Sequence, residues 1–491
     1  MKSIVEALAK NAALYPDKLC IVDIRKEYCY QQIWMNVQKV AHRYIALGIQ
    51  KRDRIIIECT QDAEFVVYGL AAQLIGAIMV PVENRIIGKA LDEIIQITDA
   101  RLLVYKTNDN RNIKAIYMDS LVESTTDIEV FNRGFPEEED TAEILYTTGT
   151  TGKSKGIEIT NLNNIALAEN IKFGTQMKED NIELIPLPLS HSHGLRTCYA
   201  NLYNGSTVVL VEGVVKTSLV FNLIKKYRVT ALDLTPSTAL IMEKLFDEKI
   251  REFSEQIDYI EIGTAFLPEE TKKMLIRDFP KARLYNFYGS TESGRACVLN
   301  FNQFQNKKGC IGIPSYHARF IVTDEYRNPI VSSETNPGLL ASTGQMNMKG
   351  YWKQPHLTEE IMQNGYIYTN DLGYIDSEGY VYVLGRKDDV INCGGIKIAP
   401  EEIEESAMKC SQIKDCVCVP KKDKILGQVP KLYIVVDDED MFQTKDFMKE
   451  LKGYIASNKL PKEIKIIEKV PRTYNGKIQR TKLIDLEEKT K

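Results

Sequence analysis

The sequence predicts an α/β protein with a large N-terminal domain (1–387) of parallel-rich α/β subdomains plus a β subdomain. A small, mobile α+β C-terminal domain (388–491) completes it. Three observations point there. Up to about residue 300, short continuous apolar runs alternate with amphipathic stretches, the pattern of parallel strands covered on both faces by helices. From about 310 to 386 the chain is rich in turn signals (TDEYRNP, NPG, DSEG) between short alternating runs such as YVYVL at 380–384. After Asp389 a smaller unit follows, a helix EEIEESAMKC, strands DCVCVP and KLYIVV, and a basic end.

The runs RIIIE (54–58), STVVLVE (206–212) and TALDL (230–234) read as buried strands. Between the last two, SLVFNLIKKY (218–227) places Leu219, Phe221, Leu223, Ile224 and Tyr227 on one helical face. The longest apolar run, 65–82, is interrupted by Gly69, Gln73, Gly76 and Pro81. It falls short of the ~20 apolar residues of a membrane span and reads as a buried helix followed by a buried strand. The polar segment GRKDD (385–389) reads as a hinge.

A chain of 491 residues is too long for one core. Its net charge of −4 carries no electrostatic footprint for nucleic acid. Ten cysteines are scattered without C-x-x-C spacing and read as reduced thiols, and the start MKSIVEALAK, with Glu6 in its apolar part, is not a signal peptide. A cytoplasmic protein without a membrane span is expected.

The stretch YTTGTTGKSKG (146–156) combines Gly149, Gly152 and Gly156 with the hydroxyls of Thr147, Thr148, Thr150 and Thr151 and the cations Lys153 and Lys155. Glycine-exposed N–H groups cradle anions. A Walker loop would need glycine at 147, where Thr147 stands, so the stretch says phosphate without that chemistry. In NFYGSTESG (286–294), Tyr288, Ser290, Thr291 and Glu292 offer a ring, hydroxyls and a carboxylate on one turn. As local structure alone it reads equally as a strand-to-helix turn with Ser290 or Thr291 as N-cap. Asp371 and Arg386 flank a β-hairpin and are placed to meet, which suits ribose hydroxyls or a plain surface ion pair. Gly394 and Gly395 precede a strand that such a pair weakens unless a ligand or backbone comes close, and Pro400 opens a helix. Asn475-Gly476 marks a turn presenting Lys477.

In order, YTTGTTGKSKG, PLSHSHGL (188–195), GTAFLPEE (263–270), YGSTE, GLLASTGQMNMKGYW (338–352), TNDLGY, GRKDD, GGIKIAPEEIE and PRTYNGKIQR resemble the adenylate-forming superfamily, over essentially the whole chain. That superfamily contains acyl-CoA synthetases, luciferases and peptide-synthetase adenylation domains. The loop departs slightly, with Thr148 where serine and Ser154 where proline are common, but keeps its glycines and Lys155.

The resemblance implies a two-step reaction with ATP, Mg²⁺ and CoA: a carboxylic acid is adenylated, then a thiol displaces AMP. It implies that Thr147, Thr148, Gly149, Thr150, Thr151, Gly152 and Lys155 hold the β and γ phosphates. Glu292, with Thr147, ligates Mg²⁺, and Thr291 bonds the α-phosphate. Tyr288 stacks on adenine beside Gly289, while Thr264 and Ala265 border the nucleotide and the acid. Asp371 holds the ribose hydroxyls with support from Arg386. Lys477 is the catalytic lysine, His191 gates the acyl pocket, and rotation about Asp388 brings the Gly395 strand to the thiol.

YGSTE and GGIKIAPEE are closer to acyl-CoA ligases than to peptide-synthetase domains, so CoA is the expected thiol. The phosphopantetheine of a separate carrier protein is the alternative. The acid stays open among fatty, aryl, dicarboxylic and betaine types. Arg196 either pairs with a second substrate carboxylate or faces solvent on its helix. In o-succinylbenzoate ligases a corresponding arginine lies one helical turn further on, where this chain has Ala200.

Overall fold

The structure, a computed structural model, describes residues 1–107, 113–121, 130–148, 154–307, 309–394, 396–472, 478–480 and 482–484, with the backbone alone at 147, 148, 154, 247 and 397. It divides into two compact units, 1–320 with 342–367, and 321–341 with 368–491. The second unit therefore groups part of the turn-rich β region with the C-terminal segment.

The first unit holds two sheets. In one, six parallel strands lie in the order Arg283–Ser290, Tyr259–Ile262, Ala231–Leu234, Ile182–Ile185, Thr207–Leu210 and Leu19–Val22. Antiparallel strands flank them on both sides. In the other, Thr141–Thr148, Ile78–Glu83, Arg54–Cys59, Leu102–Tyr105 and Ala115–Tyr117 run parallel. Ser154–Thr160 folds back antiparallel on the first of these.

The expected elements are present with a chemical reason for each. Ile55, Ile56 and Ile57 are wholly buried, as a continuous apolar run covered on both faces requires. The long apolar run is the helix Ala63–Leu74, buried along its length and capped by Asp62 accepting from the Phe65 N–H, followed by the strand Ile78–Glu83. The amphipathic stretch is the helix Thr217–Tyr227, burying Val220, Leu223 and Ile224. Among the described residues no helix is long and apolar enough to cross a membrane.

Gly338–Gly344, Tyr366–Ile375 and Val381–Arg386, mostly in the second unit, are neighbouring strands. A separate five-stranded sheet is built around the long pair Ile413–Asp423 and Gly427–Val436, with the helices Pro400–Ala407 and Thr444–Leu451 beside it. Cys416 and Cys418 are buried on the first of those strands, as strand residues. All ten cysteines are free thiols.

Candidate active site

The glycine-threonine stretch joins two antiparallel strands. Thr147 pairs with Lys155 and Thr148 with Ser154, so the loop is the tip of a hairpin. A Walker loop connects a strand to a helix, so the topology excludes that motif independently of the spacing. Gly149, Thr150, Thr151 and Gly152 lie outside the described residues. One side of the hairpin is extended by Gly350–Tyr351, which pairs with Ser154–Thr160. This brings the Tyr351 ring within 5.4 Å of Lys155 Nζ.

The same tyrosine reaches the second predicted segment. Tyr351 Oη donates to Glu292 Oε1 at 2.9 Å, and the Glu292 backbone oxygen accepts from the Met348 N–H at 2.8 Å. Burial, and next the Glu292 carboxylate, push the Tyr351 phenol up, so it stays a donor. Lys155, Tyr351 and Glu292 thus form one constellation that joins the glycine-threonine hairpin to the turn bearing Glu292 through Tyr351, a residue sequence reasoning missed. Glu292 is only half-buried and presents the hard carboxylate oxygens that Mg²⁺ requires, so the donor fits that ion.

The turn bearing Glu292 is a hairpin, which corrects the expectation of a strand-to-helix turn. Arg283–Ser290 runs to the turn and Gly294–Asn300 returns antiparallel. Ser290 and Ser293 cap it by exchanging hydroxyl-to-amide hydrogen bonds of 3.1 Å. A Cβ on Gly289 would come 1.7 Å from the Gly294 carbonyl oxygen, so the backbone approach itself demands glycine there. Thr291 sits half-exposed at the tip, and Tyr288, on the strand, has its ring 6.3 Å from Phe320.

His191 is the N-cap residue of the helix Ser192–Asn204, and its Nε2 lies 3.0 Å from Glu83 Oε1 at the end of the strand Ile78–Glu83. The hydrogen bond from His191, with Arg85 adding to it, holds the Glu83 carboxyl below its usual range against the effect of burial. Two residues on, His193 bonds Asp233 through Nε2 at 2.5 Å and Thr264 Oγ1 through Nδ1 at 2.6 Å. Thr264 and Ala265 are exposed, and Thr264 has φ +78°, an unusual value for a β-branched residue.

Behind His193 lies a buried ionic group. Arg295 pairs with Glu261 and donates to Thr197 Oγ1 at 2.6 Å; Thr197 in turn bonds Glu261 at 2.9 Å. Glu183, held by Asn201 and Tyr259, is pushed well up by burial and then by Glu261 and Asp233. Arg196 does not face solvent: it is 2% exposed and paired with Glu143.

In the second unit, Asp371 and Arg386 sit opposite each other in the strand register, their charged groups 3.5 Å apart. Asn370 donates to Asp388 at 3.0 Å beside them. Gly395 and Lys477 lie outside the described residues. Arg480, near Lys477 in sequence, is half-buried and bonds both oxygens of Glu404 at 2.8 Å.

The family model described as AMP-binding enzyme matches residues 8–352, and that for the AMP-binding enzyme C-terminal domain matches 402–477. The chain belongs to the AMP-binding enzyme family, the adenylate-forming superfamily. It is 26% identical to the 2-succinylbenzoate–CoA ligase of Oceanobacillus iheyensis, over 97% of this chain and 98% of that one. The fold is also that of ATP-bound MatB from Rhodopseudomonas palustris (TM-score 0.87, 21% identity, 99% of each chain). It equally matches o-succinylbenzoate CoA synthetase from Bacillus subtilis in complex with its acyl-adenylate (TM-score 0.84, 24% identity, 97% of each chain).

Proposed function

We infer that this chain is an ATP-dependent, AMP-forming acid:CoA ligase. A carboxylate attacks the α-phosphorus of ATP, giving acyl-AMP and pyrophosphate; the CoA thiol then takes the acyl group and AMP leaves. The observation that carries this reading is the meeting of Lys155, Tyr351 and Glu292. A cation and a carboxylate around one ring support a site for a triphosphate with its counter-ion.

Two anions must approach each other, so the work of the residues is positioning and cationic stabilisation. Glu292, with Thr147, would hold Mg²⁺, which when bound would supply positive charge against the phosphates. The loop 147–152 and Lys155 bind the β and γ phosphates, and Thr291 bonds the α-phosphate. Tyr288 and Gly289 accommodate adenine; Asp371 accepts from the ribose hydroxyls, with Arg386 keeping that carboxylate oriented. Lys477 meets the carboxylate and α-phosphate in the first step, on a segment (388–491) that changes position about Asp388 before Gly395 serves the thiol. His191 closes the acyl side, its ring fixed by Glu83. Ten unpaired thiols fit a reducing compartment, and we place the protein in the cytoplasm.

The relatives named for 2-succinylbenzoate raise that acid as a substrate, but Arg196 is committed to Glu143 and position 200 is alanine. Neither residue supports recognition of a second carboxylate.

The test is a mass-spectrometric screen of purified protein with ATP, Mg²⁺, CoA and a broad acid panel. AMP, pyrophosphate and acyl-CoA in equal amounts are expected. A hydroxylamine-trappable adenylate without acyl-CoA would point to a carrier-protein thiol instead, and ADP with phosphate would overturn the reading.

A further inference from the structure

We propose that the acid this ligase activates is short and polar, carrying a hydrogen-bond donor, a hydroxyl or an ammonium group, that is received by the Thr264 hydroxyl. The proposal rests on the ligase reading, which puts the acid beside His191 and the Gly263–Ala265 turn.

The wall behind that turn is charged. His193, Asp233 and Glu261 bring their ligand atoms within 4.8 Å of one another, with Arg295 on Glu261. A Cβ on Gly263 would come 2.2 Å from the Phe287 ring, and the Arg295 guanidinium covers that ring at 3.8 Å. The floor is therefore closed at the backbone. The cavity beyond it, bordered by Gly174, Glu261, Phe287 and Arg295, holds about 10 Å³, the room of one water. An alkyl chain gains ~0.8 kcal/mol per methylene only where it meets apolar surface. Here it would have to separate a buried ion pair, which is strongly destabilising. On this side of the turn a long fatty chain or a bulky aryl ring finds neither room nor apolar surface.

The sign of the wall selects among polar acids. Asp233 and Glu261 face His193, and Arg295, the cation nearest them, is engaged by Glu261 and Thr197. One carboxylate oxygen of Asp233, wholly buried, meets no hydrogen-bond partner among the described residues. A second substrate carboxylate would add a like charge to this surroundings. His193 Nε2 lies against Asp233 and Nδ1 against the Thr264 hydroxyl, and the tautomer that gives its Nε2 proton to the carboxylate accepts from Thr264 at Nδ1. That leaves the lone pairs of Thr264 Oγ1 turned outward from an exposed residue, ready to receive a donor. His193 and Asp233 are positioning residues, acting through Thr264.

The experiment compares kcat/KM for AMP release across acids matched in concentration. One set is lactate, 3-hydroxybutyrate, β-alanine and 4-aminobutyrate; the other is butyrate, octanoate, benzoate and succinate. The donor-bearing acids are expected to lead octanoate and benzoate by about 100-fold, below the ~10⁴-fold of an enclosed polar site because Thr264 is exposed. His193→Phe should reduce the preference for 3-hydroxybutyrate over butyrate by about tenfold, mainly through KM, while ATP binding shows the variant folded. A lead for octanoate, benzoate or succinate overturns the proposal while leaving the ligase reading intact. An unchanged preference in folded His193→Phe overturns the role of Thr264 and His193. No AMP release with any acid overturns both.

Discussion

Arg196, on the helix that follows the paired histidines, is locked to Glu143 on the strand Thr141–Thr148, with side-chain exposures of 2% and 0%. Tyr199 joins them, its hydroxyl accepting from Gln73 at 2.9 Å and lying 3.5 Å from Glu143. The pair ties the helix carrying the histidines to the strand that leads into the phosphate hairpin.

Arg196→Leu leaves Glu143 as an uncompensated buried charge. It should cost about 3–5 kcal/mol of stability, and Arg196→Leu with Glu143→Leu should recover most of that loss. Urea unfolding of the three proteins checks this. A single variant as stable as the wild type would mean the pair contributes nothing.

Much of this architecture could be read from the chain. Continuous runs such as RIIIE admit only a strand covered on both faces, and the nine motifs, taken in order, named the superfamily. The ionic interior was less accessible, because Arg196 reads from its own helix as a surface residue. A signal was nevertheless present. Glu143, Glu183, Asp233 and Glu261 each stand as the lone charge of a parallel strand, and all four are wholly buried. Such a charge has no solvated face to turn to, so it demands a partner inside. Tyr351 was illegible for another reason: its neighbours Lys155 and Glu292 are brought to it by strand pairing between distant segments. The turn at Glu292 was misjudged because Ser290 and Ser293 cap a hairpin with the same side-chain-to-amide bonds that cap a helix.

Tyr351→Phe removes the hydroxyl that orients Glu292 and keeps the ring beside Lys155. Residues that orient metal ligands typically matter by 10–100-fold, so the Mg²⁺ concentration giving half-maximal adenylation should rise about tenfold. The KM for the acid should stay unchanged. Titrating Mg²⁺ at saturating ATP separates the two, and an unaltered Mg²⁺ requirement would remove Glu292 from the metal site.

Around Arg480 in the second unit gather Asp389, Glu401 and Glu404, three carboxylates to one guanidinium. Burial raises the Glu404 carboxyl to about 7 from an ordinary 4.5, with Arg480 opposing and Glu401 reinforcing the shift. A carboxyl raised on folding binds more protons in the native state. Its contribution to stability is therefore complete below about 4.5 and is lost as pH rises through about 7. Glu404→Gln should flatten stability across that window. Hydrogen exchange of the Pro400–Ala407 helix, followed in full-length protein at several pH values, reads it out; equal slopes in both proteins would refute the assignment.

Lys477 gives the sharpest division between the two half-reactions. Its ammonium is assigned to the developing charge between carboxylate and α-phosphate, which exists in adenylation alone. Lys477→Ala should slow acyl-AMP formation by about 100-fold or more, the loss typical of a single positioned charge stabiliser. Thioester formation from supplied acyl-AMP should proceed at close to the wild-type rate, because on the proposed mechanism Lys477 takes no part in the thiol step. Both rates can be measured on one preparation, by pyrophosphate release in the first case and acyl-CoA appearance in the second. Loss of both in a folded variant would make Lys477 a structural residue and leave the cation of the first step to be sought elsewhere.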